Sequence, residues 1–209
     1  MSQAVLIATR NRGKLRELRP LFTKAGKSVL DLSEAGLPES AAEDALEAFS
    51  TFEENAIAKA RYFFRLSGMP AVADDSGLEV AALGGEPGVR SKRWSGRSDL
   101  SGTALDQANN AKLLFELRAR DDRRARFVCA VAWVDSSGDR IARGEAPGRI
   151  LLEPRGTLGF GYDPLFQSDD LGMTFGEADT PAKEMVSHRG RAFRALLNAS
   201  LVDPLGGDG

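Results

Sequence analysis

The stretch AVLIATRNRGKLRELRPLFTKAG, Ala4–Gly26, changes its period halfway along. Ala4 to Ala8 form an unbroken apolar run, as a strand buried on both faces does. Beyond a polar loop, Leu15, Leu18 and Phe22 recur at helical spacing, and Gly26 supplies a stop signal. A strand, a polar loop and a helix in that order make the opening unit of an α/β fold.

The rest of the chain extends this pattern and then departs from it. SVLDL reads as a second strand, and SEAGLPESAAEDALEAFS as an acidic, Ala-rich connection without a clear period. Ser50 and Thr51 stand three residues ahead of Glu53 and Glu54, a doubled capping box that predicts a helix start, with its end near Gly68-Met69-Pro70. PAVADD and GLEV read as short strands around a DDSG turn, and GGEPGVRSKRWSG as an irregular Gly-rich loop. A third helix is expected from about Thr103 to Arg120, with Leu105, Ala108, Leu113 and Leu117 on its apolar stripe. ARFVCAVAWVDSSGDRIARGEAPGRILL then predicts two long strands joined at Ser136–Asp139 by a hairpin of the longer-loop type. LGFGYDPLF is strand-like, and the segment from Thr180 is helical with a break expected near Gly190. Early alternation followed by a late hairpin calls for a mixed sheet, since a purely parallel one has no hairpins.

Composition narrows the function classes. The 209 residues carry 28 Lys plus Arg against 30 Asp plus Glu, a net charge of −2, so charge gives no support for nucleic-acid binding. The single cysteine, Cys129, lies in an apolar run and can form neither an internal disulfide nor a zinc cage, so a core role is expected. The N-terminus lacks the pattern of a signal peptide, and no apolar run is long enough to span a bilayer; no membrane partner and a cytoplasmic location are expected.

Four constellations bear chemistry. Thr9-Arg10-Asn11-Arg12-Gly13-Lys14 occupies a strand-to-helix loop, where free amides and the helix dipole favour an anion; a phosphate site and a solvated cap both remain open. It is not a Walker A loop, because Ala8 and Leu15 stand where Gly and Ser or Thr belong. Glu47, Asp74 and Asp75 form a set of hard oxygen ligands suited to magnesium, and two adjacent carboxylates need a cation or a shared proton. GFGYDP, Gly159–Pro164, brackets Gly161 with two aromatic residues, as a base-stacking site does, although a bulged strand fits the same letters. KEMVSHRGRA holds His188, the only histidine, beside Arg189. The basic run Arg118–Phe127 reads as a solvated helix end and loop.

In order along the chain, TRNRGK, TFEENAIAKA, ADDSGLEV, GGEPGVRSKRWSG, GFGYDPLF and SHRGRA resemble the inosine triphosphate pyrophosphatase family nearly end to end. The resemblance implies an elongated α/β fold with a mixed sheet flanked by helices, two lobes with a nucleotide cleft between them, and a homodimer. It implies one domain over 1–203 with a flexible tail at 204–209. It also implies hydrolysis of ITP, dITP or XTP to the monophosphate and pyrophosphate with Mg²⁺ as cofactor. Carried over residue by residue, it makes Asp75 the catalytic acid and a metal ligand together with Glu47. Thr9, Arg10, Asn11, Arg12, Gly13 and Lys14 then hold the triphosphate. Ser76, Phe160, Gly161, Tyr162, Asp163, Lys183, His188 and Arg189 become substrate contacts. The chain differs from the family pattern at Leu46 and Phe49 around Glu47, and at Arg10, Tyr162 and Lys92. Two other classes share parts of this signature: a related pyrophosphatase for pyrimidine or modified nucleotides, and a non-catalytic nucleotide-binding protein.

Overall fold

The computed structural model describes residues 4–199; the expected tail at 204–209 and the domain end at 203 lie outside the described residues. Six strands form one mixed sheet in the order β2-β1-β3-β4-β5-β6. They are β1 (Val5–Ile7), β2 (Val29–Asp31), β3 (Ala71–Val80), β4 (Arg124–Asp135), β5 (Gly138–Ile150) and β6 (Phe166–Ser168). β1 pairs in parallel with both β2 and β3, and every later pairing is antiparallel. The early alternation and the late hairpin are both borne out.

The helices are α1 (Arg12–Lys24), α2 (Phe52–Ser67), α3 (Gly102–Glu116), α4 (Thr180–Val186) and α5 (His188–Ala199). Asn11 caps α1 by accepting from the amides of Gly13 and Lys14 at 2.8 and 3.1 Å. Thr51, rather than Ser50, caps α2, and Gly68 ends it in the left-handed conformation.

Both faces of the sheet are buried, and the pleat sorts the residues. Val5, Ile7, Val72, Cys129, Val131 and Trp133 pack with Leu18 and Phe22 of α1 and with Phe193 and Leu196 of α5. Their alternate neighbours, Leu6, Ala8, Ala71, Ala73, Ala130 and Ala132, pack under Phe52, Ala56, Ala60 and Phe63 of α2. A third apolar cluster gathers Leu78, Val80, Phe127, Ile150, Phe166 and Phe175 with Leu113 and Leu117 beside α3. Along β3, residues 74–77 therefore lie between the two-faced core at one end and this third cluster at the other.

Several sequence expectations are corrected. PAVADD and GLEV are one continuous ten-residue strand, because Asp74 to Gly77 keep their register opposite Val131 to Val128 of β4; no turn occurs at DDSG. The acidic connection holds a 3₁₀ helix, Ala41–Glu47, started by a reciprocal capping box between Ser40 and Glu43. The Gly-rich loop likewise contains a 3₁₀ helix, Gly88–Arg93. The β4–β5 loop is two residues rather than longer, since Asp135 already faces Gly138. GFGYDP is a turn, with strand pairing beginning only at Phe166. The C-terminal helix breaks at the extended Ser187, before His188, not at Gly190. α3 ends at Glu116, four residues short of Arg120. In the basic run, Arg123 is buried and donates to the carbonyls of Leu117, Ile150 and Leu151, so that part is structural rather than solvated.

Close packing of α5 on β5 depends on Gly144, where an added Cβ would lie 2.3 Å from the His188 carbonyl oxygen and 2.4 Å from the Ala192 nitrogen. Both neighbours are backbone and cannot swing aside. Gly144→Ala should therefore destabilise the fold by about 2 kcal/mol or more, as overpacked cores do, measured by urea unfolding. A change within about 0.5 kcal/mol, the usual range for a surface substitution, would show that α5 is not held this closely.

Candidate active site

Successive residues of a strand point to opposite faces, so the adjacent carboxylates of β3 do not share one environment. Asp74 points toward α1 and α5. Its Oδ2 lies 3.0 Å from Lys14 Nζ and 3.2 Å from Arg189 Nε, with Cys129 Sγ at 3.8 Å. Burial works to raise its pKa, but the charges of Lys14, Arg189 and Lys59 prevail and hold the carboxyl well below the usual range. Asp75 points toward α2, where Asn55 Nδ2 donates to it at 2.9 Å and Lys59 Nζ stands 3.6 Å away. Here burial prevails over Lys59 and Lys14, and the pKa is raised.

A chain of buried ion pairs extends from Asp74. Arg189, 2% exposed, bonds to Asp74, to Ser76 Oγ at 2.8 Å, and to Glu17 of α1. Lys183 of α4 bonds to the other Glu17 oxygen and to Asp163 Oδ2, each at 2.6 Å. The same Asp163 oxygen accepts the Phe160 amide at 2.7 Å, which ties the GFGYDP turn into the network. Burial raises the Glu17 carboxyl, yet Arg189 and Lys183 outweigh it and keep the group below its ordinary value. The break at Ser187 lets α4 and α5 aim Lys183 and Arg189 at one carboxylate.

Two cavities adjoin beside Lys14 and Glu47, and β3 lines the smaller of them. The smaller, about 120 Å³, is lined by Asp75, Ser76, Phe160, Gly161, Tyr162, Asp163, Lys183, His188 and Arg189. The larger, about 780 Å³, is lined by Thr9, Arg10, Lys59, Lys92, Arg93 and Arg97, among others. Asn11, Lys14, Glu47 and Lys92 border both, so a ligand can run from one into the other. His188 stacks on Phe127, with ring centroids 4.7 Å apart at 11°. Burial, then the charges of Arg189 and Lys183, lower its pKa well below the ordinary value, so the ring is neutral. Its Nδ1 is buried without a hydrogen-bond partner among the described residues.

Not every predicted residue reaches a cavity in the expected way. Arg10 is committed elsewhere: its guanidinium bonds to both Glu43 oxygens and to the carbonyls of Leu37 and Pro38 at 2.7–3.1 Å. Arg12 is exposed at the start of α1 and lines neither cavity. Gly13 makes room for Phe160, whose Cδ1 would be 2.6 Å from an added Cβ. The Tyr162 hydroxyl donates to the Ser91 carbonyl at 2.8 Å.

Glu47 and Asp75 line the smaller cavity together, with Lys59 Nζ 2.8 Å from Glu47 Oε1. Burial opposes ionisation of Glu47, but Lys59 overrides it and lowers the pKa to about 2. No group of three or more His, Cys, Asp or Glu among the described residues is arranged as a metal cage. The donors present, one ionised carboxylate and one raised by burial, fit a hard cation that completes its shell with water and ligand oxygens. Sequence reading missed Glu17 and Asn55. Asn55 and Lys59 stand four residues apart on a helix whose buried face is otherwise apolar, which was a readable signal; Glu17 showed itself only through its partners.

The comparisons with known proteins agree on one group. A model for the Ham1 family matches residues 5–199. A dITP/XTP pyrophosphatase of Mycolicibacterium paratuberculosis is 52% identical, covering 93% of this chain and 94% of its own, and one of Frankia alni is 48% identical over 92% and 94%. A solved Ham1 protein from Coxiella burnetii aligns with a TM-score of 0.82 and 36% identity, covering 97% of this chain and 100% of its own.

The raised pKa of Asp75 has a consequence for stability. A carboxyl with a folded pKa above its unfolded value contributes fully below the unfolded pKa, and that contribution is lost as pH rises through the folded one. In metal-free buffer with chelator, Asp75→Asn should therefore be more stable than wild type at pH 7, and the gain should shrink as pH falls toward 4. Thermal melts across this range test it; a variant less stable at pH 7 would mean that Lys59 and Asn55 outweigh burial.

Proposed function

The chain belongs to the Ham1 family, and on that premise we propose that it hydrolyses the triphosphates of deaminated purines, ITP, dITP and XTP, to the monophosphate and pyrophosphate. The observation that carries this is the position of Asp75: buried, raised in pKa, and lining a small cavity with an aromatic wall together with Lys14 and Glu47, which also border a larger cationic one. A base on Phe160 and phosphates beside Lys14 and Lys59 place the scissile anhydride near Asp75. We further propose Mg²⁺ as the metal, a homodimer as the assembly and the cytoplasm as the location, as the family likeness implies; no helix among the described residues is long and apolar enough to cross a membrane.

In this mechanism Asp75 accepts a proton from the attacking water, a role that its raised pKa suits. Glu47 and Asp75 would hold the magnesium, which when bound would supply charge neutralisation and orientation of the triphosphate. Lys14 and Lys59 stabilise charge on the departing pyrophosphate; both ammonium groups are already gathered at the Asp74 carbonyl, at 3.4 and 2.9 Å. Asn55 orients Asp75, and it also accepts from and donates to the backbone of Phe49, two residues beyond Glu47.

Base selection follows from hydrogen bonding. Hypoxanthine and xanthine carry a carbonyl at position 6 where adenine carries an amine, and a site that leaves a buried donor unpaired discriminates by a factor on the order of 10⁴. Stacking on Phe160 does not separate the bases, and guanine, which shares the 6-carbonyl, must be excluded at its 2-amino group. The neutral His188, with its free Nδ1, is the group available for the base edge.

Asp75→Asn should lower kcat by about 10²-fold or more, as loss of a general base does, while the fold survives. Near wild-type turnover would remove Asp75 from that role. Lys14→Ala should weaken triphosphate binding far more than nucleoside binding, and equal losses would count against a phosphate contact. Pyrophosphate release from ITP, dITP, XTP, dGTP and dATP, with and without Mg²⁺, should favour the first three and require the metal. Equal rates on all five would overturn the proposed substrate class.

A further inference from the structure

The turn that carries Phe160 belongs to no strand or helix; the Asp163 amide closes it by donating to the Phe160 carbonyl at 3.2 Å, and side chains take up polar groups that this bond leaves. Asp163 holds the Phe160 amide from within. From outside, α3 holds the next residue by both of its polar groups: Asp106 Oδ2 accepts the Gly161 N–H at 2.9 Å, and Asn110 Nδ2 donates to the Gly161 carbonyl at 3.0 Å. Asp106 and Asn110 are four residues apart and share one helix face. Gly161 has φ +62°, a conformation that glycine favours and that turns both groups toward α3.

Asn109 extends the same face to a second wall. Its Oδ1 accepts the Ser95 amide at 2.7 Å and its Nδ2 donates to the Lys92 carbonyl at 3.1 Å, while Lys92 borders both cavities. Asn110 is also retained at a cost, because its Oδ1 is buried without a partner among the described residues. Packing alone would be served better by an apolar residue there. The feature that the amide serves is the Gly161 carbonyl.

We propose that Asp106 and Asn110 are positioning residues which brace the Phe160 turn and thereby set affinity for the nucleobase, leaving the chemistry on the phosphates to β3 and α2. This rests on the functional reading above, in which Phe160 stacks on the base. A brace acts through geometry, so an amide oxygen at position 106, which accepts the same bond, should serve nearly as well as a carboxylate.

The test compares wild type, Asp106→Ala, Asp106→Asn and Asn110→Ala in two measurements. Steady-state hydrolysis of ITP gives KM and kcat, and calorimetry in chelator gives the affinities for ITP and for inorganic tripolyphosphate, which has no base. Asp106→Ala and Asn110→Ala should each raise KM and weaken ITP binding about tenfold, the size of one hydrogen bond's net contribution, with tripolyphosphate affinity and kcat close to wild type. Asp106→Asn should restore ITP binding. The proposal falls if ITP binding is unchanged in the alanine variants, if tripolyphosphate affinity drops in parallel, if kcat carries the loss, or if Asp106→Asn behaves like Asp106→Ala. Should Asp106→Ala fail to fold, Asn110→Ala and Asp106→Asn carry the same comparison. A wild type that binds ITP without turning it over would count against the functional reading alone, since the calorimetric comparison would still support or overturn the brace.

Discussion

The contact between Arg189 and Asp74 is the constraint on which the rest of the site depends. Both groups are buried, and a buried charge left unpaired costs several kcal/mol, so Asp74 is paired with Arg189 and Lys14, and Arg189 with Asp74 and Glu17. That requirement joins β3 to the start of α5. Arg189 and Lys183 share Glu17, which joins α1 to α5 and α4; Asp163 then brings in the turn that carries Phe160. Such a network contributes little net stability compared with an apolar core, but it tolerates only one arrangement of its members.

Against this fixed face, the opposite face of β3 is left incomplete. Asp74 has Lys14 and Arg189 close by, whereas Asp75 has an amide and an ammonium 3.6 Å away, and burial is not fully offset. An under-paired carboxylate is a cost to folding, and it is also what a proton acceptor and a cation ligand require. The pleat accounts for the division, because one strand presents the two carboxylates to opposite sides of the sheet and so leaves one inside an ion-pair network and the other lining a cavity.

Glu47 illustrates how the last residue of a short 3₁₀ helix is brought to a cavity wall. The segment leading to it is pinned at three points: by Arg10 through Glu43, by Arg93 through the Glu47 carbonyl, and by Asn55 through Phe49. The family resemblance implies a phosphate contact for Arg10. Its fork pairs with the two Glu43 oxygens at the wall of the larger cavity, a bidentate pairing that fixes geometry as well as charge.

Local chemistry in the sequence was enough to determine the strand-loop-helix opening, the capped start of α2, the β4–β5 hairpin and the mixed sheet, because each depends on period, caps or turn residues that neighbours in sequence supply. It also pointed to most of the residues that line the smaller cavity, since their motifs follow one another in order. The single strand through Asp74 and Asp75 was not legible, because a turn and a strand interior can share the letters DDSG, and only pairing with β4 decides between them. Nor were the roles of Glu17, Asn55, Asp106 and Arg10, whose contacts with Arg189, Asp75, Gly161 and Glu43 span between 20 and 172 positions. Which charge is satisfied and which is left free is a property of three-dimensional distance. Tertiary structure alone decided that Asp74 would be neutralised and Asp75 left available.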